Sequence, residues 1–149
     1  DRVRETLFNW LGQDLSGLAC LDLFAGSGIL GFEAASRGAA HVTMVEKSRR
    51  VFEQLRRNDE AFACERLELV CCDALKFPAL PSRRYDLVFL DPPYHQGWLD
   101  TVAPLLDGWT MPQARIYAEA EQRLERLGAW HVAKQGQAGQ VYFHLLERE

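Results

Sequence analysis

Apolar positions along this chain switch repeatedly between two rhythms. Val3, Leu7, Trp10 and Leu11 share one face of a helical repeat, which predicts an amphipathic helix over residues 1–11, stopped by Gly12. Residues 18–24 are almost continuously apolar, as a central parallel strand covered on both faces must be. A helix follows over 29–37, with Gly38 just past its end. The pair then recurs as a strand over 41–46 and a helix capped by Ser48 that runs to about residue 63. Further strands are expected over 67–71, 85–90 and 114–120, with a loop over 77–84 marked by Pro78 and Pro81. A helical segment over 98–106 is interrupted or restarted at Pro104, and a short helix is expected over 122–127 before Gly128. Residues 130–134 and 140–146 alternate like strands, and Gly136-Gln137-Ala138-Gly139 between them predicts a hairpin turn. Strand–helix alternation of this kind gives an α/β domain built on a doubly wound, mostly parallel sheet. No repeat, low-complexity tract or boundary interrupts it, so residues 1–149 read as one domain.

Composition narrows the class. The chain's 149 residues suffice for one sizeable core, and 48% hydrophobic with 26% charged residues places it among soluble globular proteins. No apolar run approaches membrane-spanning length and no charged-then-apolar leader opens the chain, so a cytoplasmic protein with no membrane partner is expected. The chain starts at Asp1 rather than Met and enters a helical pattern at once, so an upstream segment is expected. Cys20, Cys64, Cys71 and Cys72 form no Cys-x-x-Cys pair, and His41, His95, His131 and His144 are scattered. Buried reduced thiols and no metal are therefore expected. The net charge of −4 sits awkwardly with a nucleic-acid partner, which usually demands a basic footprint.

The densest chemical signal is Leu21-Asp22-Leu23-Phe24-Ala25-Gly26-Ser27-Gly28-Ile29-Leu30-Gly31, a strand, a small-residue turn and a helix start. Gly26 and Gly28 can adopt backbone angles closed to other residues and let a ligand approach the main chain. With Gly31 they spell G-x-G-x-x-G, and Glu46 stands twenty residues past Gly26, as in a dinucleotide site. The blander reading of these glycines is a tight turn and close helix packing. Asp22 argues against a dinucleotide, because a carboxylate at the strand end suits a cationic ligand such as an amino-acid ammonium group. Ligands of open α/β sheets lie beyond the carboxyl ends of the strands. Asp22, Glu46, Asp73, Asp91 and the loop after Ala120 all fall there. Buried carboxylates are costly unless paired, which argues against packing roles, and their co-occurrence in this order favours ligand contact over the simpler alternatives that Glu46 caps a helix at Ser48 and Asp73 closes a turn.

A second motif, Asp91-Pro92-Pro93-Tyr94, follows the strand over 85–90. With the glycine turn it resembles the S-adenosylmethionine-dependent amino-group methyltransferases. The opening stretch Asp1-Arg2-Val3-Arg4-Glu5-Thr6-Leu7-Phe8-Asn9-Trp10-Leu11, the turn, Val45-Glu46-Lys47 and Phe89-Leu90-Asp91-Pro92-Pro93-Tyr94 are similar to the bacterial 16S ribosomal RNA guanine-N2 methyltransferase family over nearly the whole chain. The opening stretch is the most family-specific of these, since many methyltransferases share the other motifs. The resemblance implies a Rossmann-like, seven-stranded, mostly parallel doubly wound sheet with a C-terminal antiparallel hairpin. It implies S-adenosyl-L-methionine as cofactor and ribosomal RNA as substrate, free or within the small ribosomal subunit, handled by a monomer without metal. Asp22, Gly26 and Gly28 would face the methionine part of the cofactor, with Phe24 and Ala25 beside them. Glu46 would bind both ribose hydroxyls, Asp73 the adenine amino group, and Ala74 would supply a backbone donor. Lys47 is counted with this set, although its side chain is expected to point to solvent.

An exocyclic amine is a poor nucleophile because its lone pair is delocalised into the ring. Hydrogen bonds from that amine to the Asp91 carboxylate and the Pro92 carbonyl would favour a tetrahedral nitrogen aimed at the methyl donor. Pro92 and Pro93 would stiffen the turn in advance, and Tyr94 would stack on the unstacked base. His95 is given no role. Carbon methylation would need a nucleophilic cysteine at this turn, and none is there. The family usually carries a basic arm upstream, whose absence here would account for the acidic balance and leave Arg2, Arg4, Arg49, Arg50 and Arg84 as positive surface. Three rivals remain. A DNA adenine amino-methyltransferase uses a similar turn but usually adds a recognition domain for which 149 residues leave little room. A protein-glutamine methyltransferase typically has Asn in the place of Asp91. A catalytically silent cofactor-binding partner is disfavoured by the intact turn.

Overall fold

The computed structural model describes residues 2–80, 82–93 and 97–148. Asp1, Pro81, Tyr94 and His95, all named above, lie outside the described residues. In chain order the elements are α1 (Arg2–Leu11), β1 (Ala19–Asp22), α2 (Ile29–Ser36), β2 (His41–Glu46), α3 (Arg49–Phe62), β3 (Leu67–Cys71), β4 (Tyr85–Leu90), α4 (Trp98–Val102), α5 (Leu106–Trp109), β5 (Thr110–Ala120), β6 (Arg126–Leu127), β7 (Trp130–Ala138) and β8 (Val141–Arg148). The described strands form one sheet in the order β3-β2-β1-β4-β5-β8-β7-β6. Strands β1 to β5 run parallel to one another, and β8, β7 and β6 complete the sheet antiparallel. This is the expected Rossmann-like doubly wound sheet, extended by the two-residue β6 at its edge.

Period-two burial explains why the parallel strands read as continuous apolar runs. On β4, Leu87 and Phe89 face α1, α2 and α3 together with Leu7, Phe8, Ala34 and Leu55. Their neighbours Val88 and Leu90 face the opposite layer with Val102, Leu106 and Trp109. Both faces of the strand are therefore buried, as a doubly wound sheet requires. Ser48 caps α3 as expected, its hydroxyl accepting from the Val51 amide at 3.3 Å. The chain lays β2 and β3 to one side of β1, then returns to lay β4 and β5 on the other. The reversal opens a crevice beyond the carboxyl ends of β1 and β4.

The structure corrects the sequence at three places. Residues 122–127 form a bend and a short strand rather than a helix, because the Leu124 amide donates to Nε2 of buried His144 at 2.9 Å instead of to a helical carbonyl. The hairpin turn is Gly139-Gln140, not the four residues 136–139, since Ala138 and Val141 already pair. Gly136 is a strand residue beneath the Phe143 ring, where a β-carbon would come within 2.5 Å of the ring. Of the four cysteines, all free, only Cys20 is fully buried, with its thiol pushed up to about 12 chiefly by burial.

Candidate active site

The crevice holds a cavity of about 540 Å³. Its floor begins with Asp22, the last residue of β1, held in register between Met44 of β2 and Phe89 of β4. Asp22 is 1% exposed, and its Oδ1 has no hydrogen-bond partner. Burial, then the charges of Asp91 and Glu46, push its pKa up to about 7, against the stabilising amide of Phe24. The chain beyond Asp22 is stitched to both neighbouring strands. The Leu23 amide donates to the Phe89 carbonyl at 3.3 Å, and the Ala25 amide to the Val45 carbonyl at 2.9 Å.

The two turn glycines serve different ends. Gly26 has a φ of +57° and a β-carbon there would meet nothing within 4 Å, so it leaves the cavity open. Gly28 has a φ of +93° and precedes α2, but a β-carbon would lie 2.4 Å from the Phe32 ring and 2.7 Å from Leu55 Cδ1. Gly28 is thus a packing residue, and it does not line the cavity. Gly31 likewise packs α2 on β2, where a β-carbon would come 2.4 Å from the Met44 sulfur.

Glu46 does what its simpler alternative proposed, and more. Its Oε2 accepts from the Ser48 amide and its Oε1 from the Gly26 amide, both at 2.9 Å, so one carboxylate ties the glycine turn to the start of α3. A carboxylate has about four lone-pair sites, so roughly two remain for a ligand. Asp73 closes its turn through Oδ1, which accepts from the Leu75 amide at 2.9 Å. Its Oδ2 lies 3.6 Å from Lys47 Nζ. Lys47 is solvent-exposed as expected, yet its ammonium bridges the cavity mouth, 5.9 Å from the centroid of the Trp98 ring. Ala74 is buried behind Asp73.

Asp91 follows β4 and opens into the cavity, where the surrounding protein still removes enough water to raise its pKa. Pro92 is buried and Pro93 is exposed. The cavity brings together Asp22, Phe24, Ala25 and Gly26 from the first strand and turn, and Glu46, Lys47, Asp73 and Ala74 from the second and third strand ends. Asp91, Pro92 and Pro93 complete it. Tyr94 lies outside the described residues. Arg84 is not part of this surface. It sits at the amino end of β4, where its guanidinium donates to the carbonyls of Asp107 and Thr110 at 3.3 and 3.4 Å.

The cavity also has walls that the sequence motifs do not mark. Val3 and Arg4 bring the first turn of α1 to the cavity. Trp98, opening α4, packs edge-on against Phe24 with ring centroids 5.5 Å apart. Glu119 lines the cavity from β5, one residue before the strand ends, not from the loop after Ala120. Burial and then the charge of Asp91 push Glu119 up to about 7, although the Tyr117 hydroxyl donates to its Oε2 at 2.8 Å. A signal existed: an acid near the end of an apolar strand, as at Asp22. A second cavity of about 280 Å³ adjoins the first and shares its wall of Pro92, Pro93, Trp98 and Glu119. Among the described residues, no group of three or more His, Cys, Asp or Glu could hold a metal ion, and no helix is long and apolar enough to cross a membrane. Under-compensated carboxylates facing open volume are suited to a ligand that brings positive charge and N–H donors.

Comparison with known proteins shows the chain's family and fold. The chain matches the family model described as Conserved hypothetical protein 95 across residues 1–147. It is 42% identical over 154 aligned positions to ribosomal RNA small subunit methyltransferase D of Escherichia coli (strain K12), spanning 100% of this chain and 78% of that protein. The solved structure of yhhF from Escherichia coli superposes with a TM-score of 0.91 at 40% identity, covering 100% of this chain and 86% of that one. An RNA methyltransferase from Salinibacter ruber, solved with S-adenosyl-L-homocysteine, shares the fold at a TM-score of 0.79 and 14% identity, over 99% of this chain and 91% of that one.

Proposed function

Because this chain belongs to the Conserved hypothetical protein 95 family, we propose that it transfers a methyl group from S-adenosylmethionine to the exocyclic N2 amine of a guanine in small-subunit ribosomal RNA. The carrying observation is that the Pro92–Pro93 turn walls two adjoining cavities, the larger of which holds the unpaired buried oxygen of Asp22. The residues present fit the cofactor. Asp22 needs a cation to compensate its burial, Gly26 leaves the cradle open, and Glu46 and Asp73 keep acceptor capacity. When bound, the cofactor supplies an electrophilic methyl group on a positively charged sulfur. Asp22 would hold the ammonium, Glu46 the ribose hydroxyls, Asp73 the adenine amine, and Ala74 a backbone donor. Phe24 and Trp98 form an aromatic wall beside them.

The chain's part in the chemistry is to prepare the amine. Asp91 and the Pro92 carbonyl accept its two hydrogens, so the nitrogen lone pair is freed from the ring and oriented before reaction. With the cofactor bound, the methyl group would pass to the nitrogen while the sulfur keeps the bonding pair, and Asp91, already accepting from the amine, would take the extra proton. No covalent enzyme intermediate is required. Tyr94 stacks on the unstacked base. Positive charge for the RNA backbone comes from Arg4 at the cavity rim and from Arg49 and Arg50, exposed at the start of α3. The test is nucleoside mass analysis of 16S ribosomal RNA from cells lacking this protein. Loss of one N2-methylguanosine is expected, and an unchanged N2-methylguanosine content overturns the proposal.

A further inference from the structure

We infer that Glu119 reads the identity of the target base, its carboxylate accepting the ring N1–H of guanine beside the amine held by Asp91 and Pro92. The inference rests on the guanine reading above and adds a specificity residue to it. Strands β4 and β5 are parallel neighbours with Leu90 opposite Ala118, so Asp91 and Glu119 are the next residues on adjacent strands. Adjacent strands stand about 4.8 Å apart, so the two residues follow each other's level across the sheet, and both line the larger cavity. Asp91 lines the larger cavity, whereas Glu119 lines both, on the wall it shares with Pro92, Pro93 and Trp98. A group in that position addresses whatever enters the smaller cavity and reaches toward Asp91.

The local chemistry of Glu119 asks for an N–H donor. One oxygen, Oε2, is fixed by the Tyr117 hydroxyl at 2.8 Å, which orients the carboxylate and leaves Oε1 for a ligand. Among the described residues no Lys, Arg or His forms an ion pair with it, and half-burial beside Asp91 disfavours its charge. Close by, Asp22 presents a buried oxygen without a partner to the same cavity. Unstacked bases are read on their Watson–Crick edges. Guanine is the base that offers adjacent N1–H and N2–H donors there. Two neighbouring acceptors match it, whereas adenine would turn the N1 lone pair toward a carboxylate.

The experiment compares guanosine with 2,6-diaminopurine riboside, ligated at the target position of 16S ribosomal RNA and assembled into small-subunit particles. The analogue keeps the N2 amine but presents a lone pair at N1. Assays at about pH 8.5 keep Glu119 ionised. The wild type should prefer guanosine in kcat/KM by about 10- to 100-fold, the effect of one hydrogen bond to a charged group. Glu119→Gln, whose amide can donate as well as accept, should lower that ratio by about tenfold or more, with S-adenosylmethionine affinity unchanged. Glu119→Ala should lose rate on guanosine and likewise lose discrimination. An unaltered ratio in Glu119→Gln, or loss of cofactor affinity in both variants, overturns the inference. A wild-type enzyme that methylates no guanosine overturns the parent reading, and this inference with it. N2-methylation with an unaltered ratio overturns this inference alone.

Discussion

Replacing Asp22 with asparagine should remove a pH-dependent penalty on the ligand-free protein while sharply weakening its affinity for a cationic cofactor. Asp22 is buried, has one oxygen unpaired, and carries a pKa of about 7 against 3.8 when unfolded. The folded state therefore binds the proton more tightly than the unfolded state does. Its contribution to stability is most favourable below the unfolded value and declines as pH rises, until it levels off above the folded value. A rise of about three units at about 1.4 kcal/mol each sets a ceiling of about 4 kcal/mol. Relaxation around Asp91 and Glu46 should leave about 2–4 kcal/mol. Asparagine keeps the shape but cannot ionise, and its amide adds a pH-independent cost of about 1–3 kcal/mol if left unpaired. The diagnostic is thus the slope and not the offset. Urea unfolding of both proteins, without ligand, should give a stability difference that shifts in favour of Asp22→Asn by about 2–4 kcal/mol between about pH 4 and pH 8. Curves that stay parallel across that range would refute the picture of Asp22 as an under-compensated buried anion.

The remaining expectations separate packing, binding and chemistry. Gly26→Val should lose S-adenosylmethionine binding by calorimetry, with a fold penalty of only about 1–2 kcal/mol from its left-handed backbone. Gly28→Ala adds to a similar strain a collision with Phe32 and Leu55, so its main effect should be a lower unfolding midpoint. Asp91→Ala should leave cofactor affinity within about threefold and lower kcat by about 100-fold or more, since in the proposed reading its contact is with the reacting amine. Tyr94→Phe should be mild and Tyr94→Ala severe in single-turnover methylation, since stacking needs the ring and not the hydroxyl. Normal turnover by Tyr94→Ala would remove the stacking role.

The centre of the parallel half was legible because β1, β2 and β4 are largely buried on both faces. Residues 41–46 and 85–90 are largely apolar and become β2 and β4, while 67–71, with Glu68 among apolar neighbours, becomes the half-exposed edge strand β3. The antiparallel edge was less so. Gly136 looks like a turn residue, yet it is a strand position that must stay small beneath Phe143. Residues 122–127 carry a helical pattern that loses to a tertiary hydrogen bond from Leu124 to His144. At the site, acids at strand ends located Asp22, Glu46, Asp73 and Asp91. What the sequence could not give was how each acid divides its oxygens. Glu46 is both a scaffold for the glycine turn and a wall of the cavity. Glu119 was hidden because it precedes the strand end, and only the register of β4 against β5 places it beside Asp91.

The most direct test is reconstitution. The purified chain is incubated with methyl-labelled S-adenosylmethionine and small-subunit particles from cells lacking it, and the digested RNA is resolved into nucleosides by mass spectrometry. The account expects label in N2-methylguanosine at a single site, abolished by Asp91→Ala although that variant still binds cofactor. Label in N6-methyladenosine, or none in RNA from any small-subunit preparation while the protein binds cofactor, would contradict it.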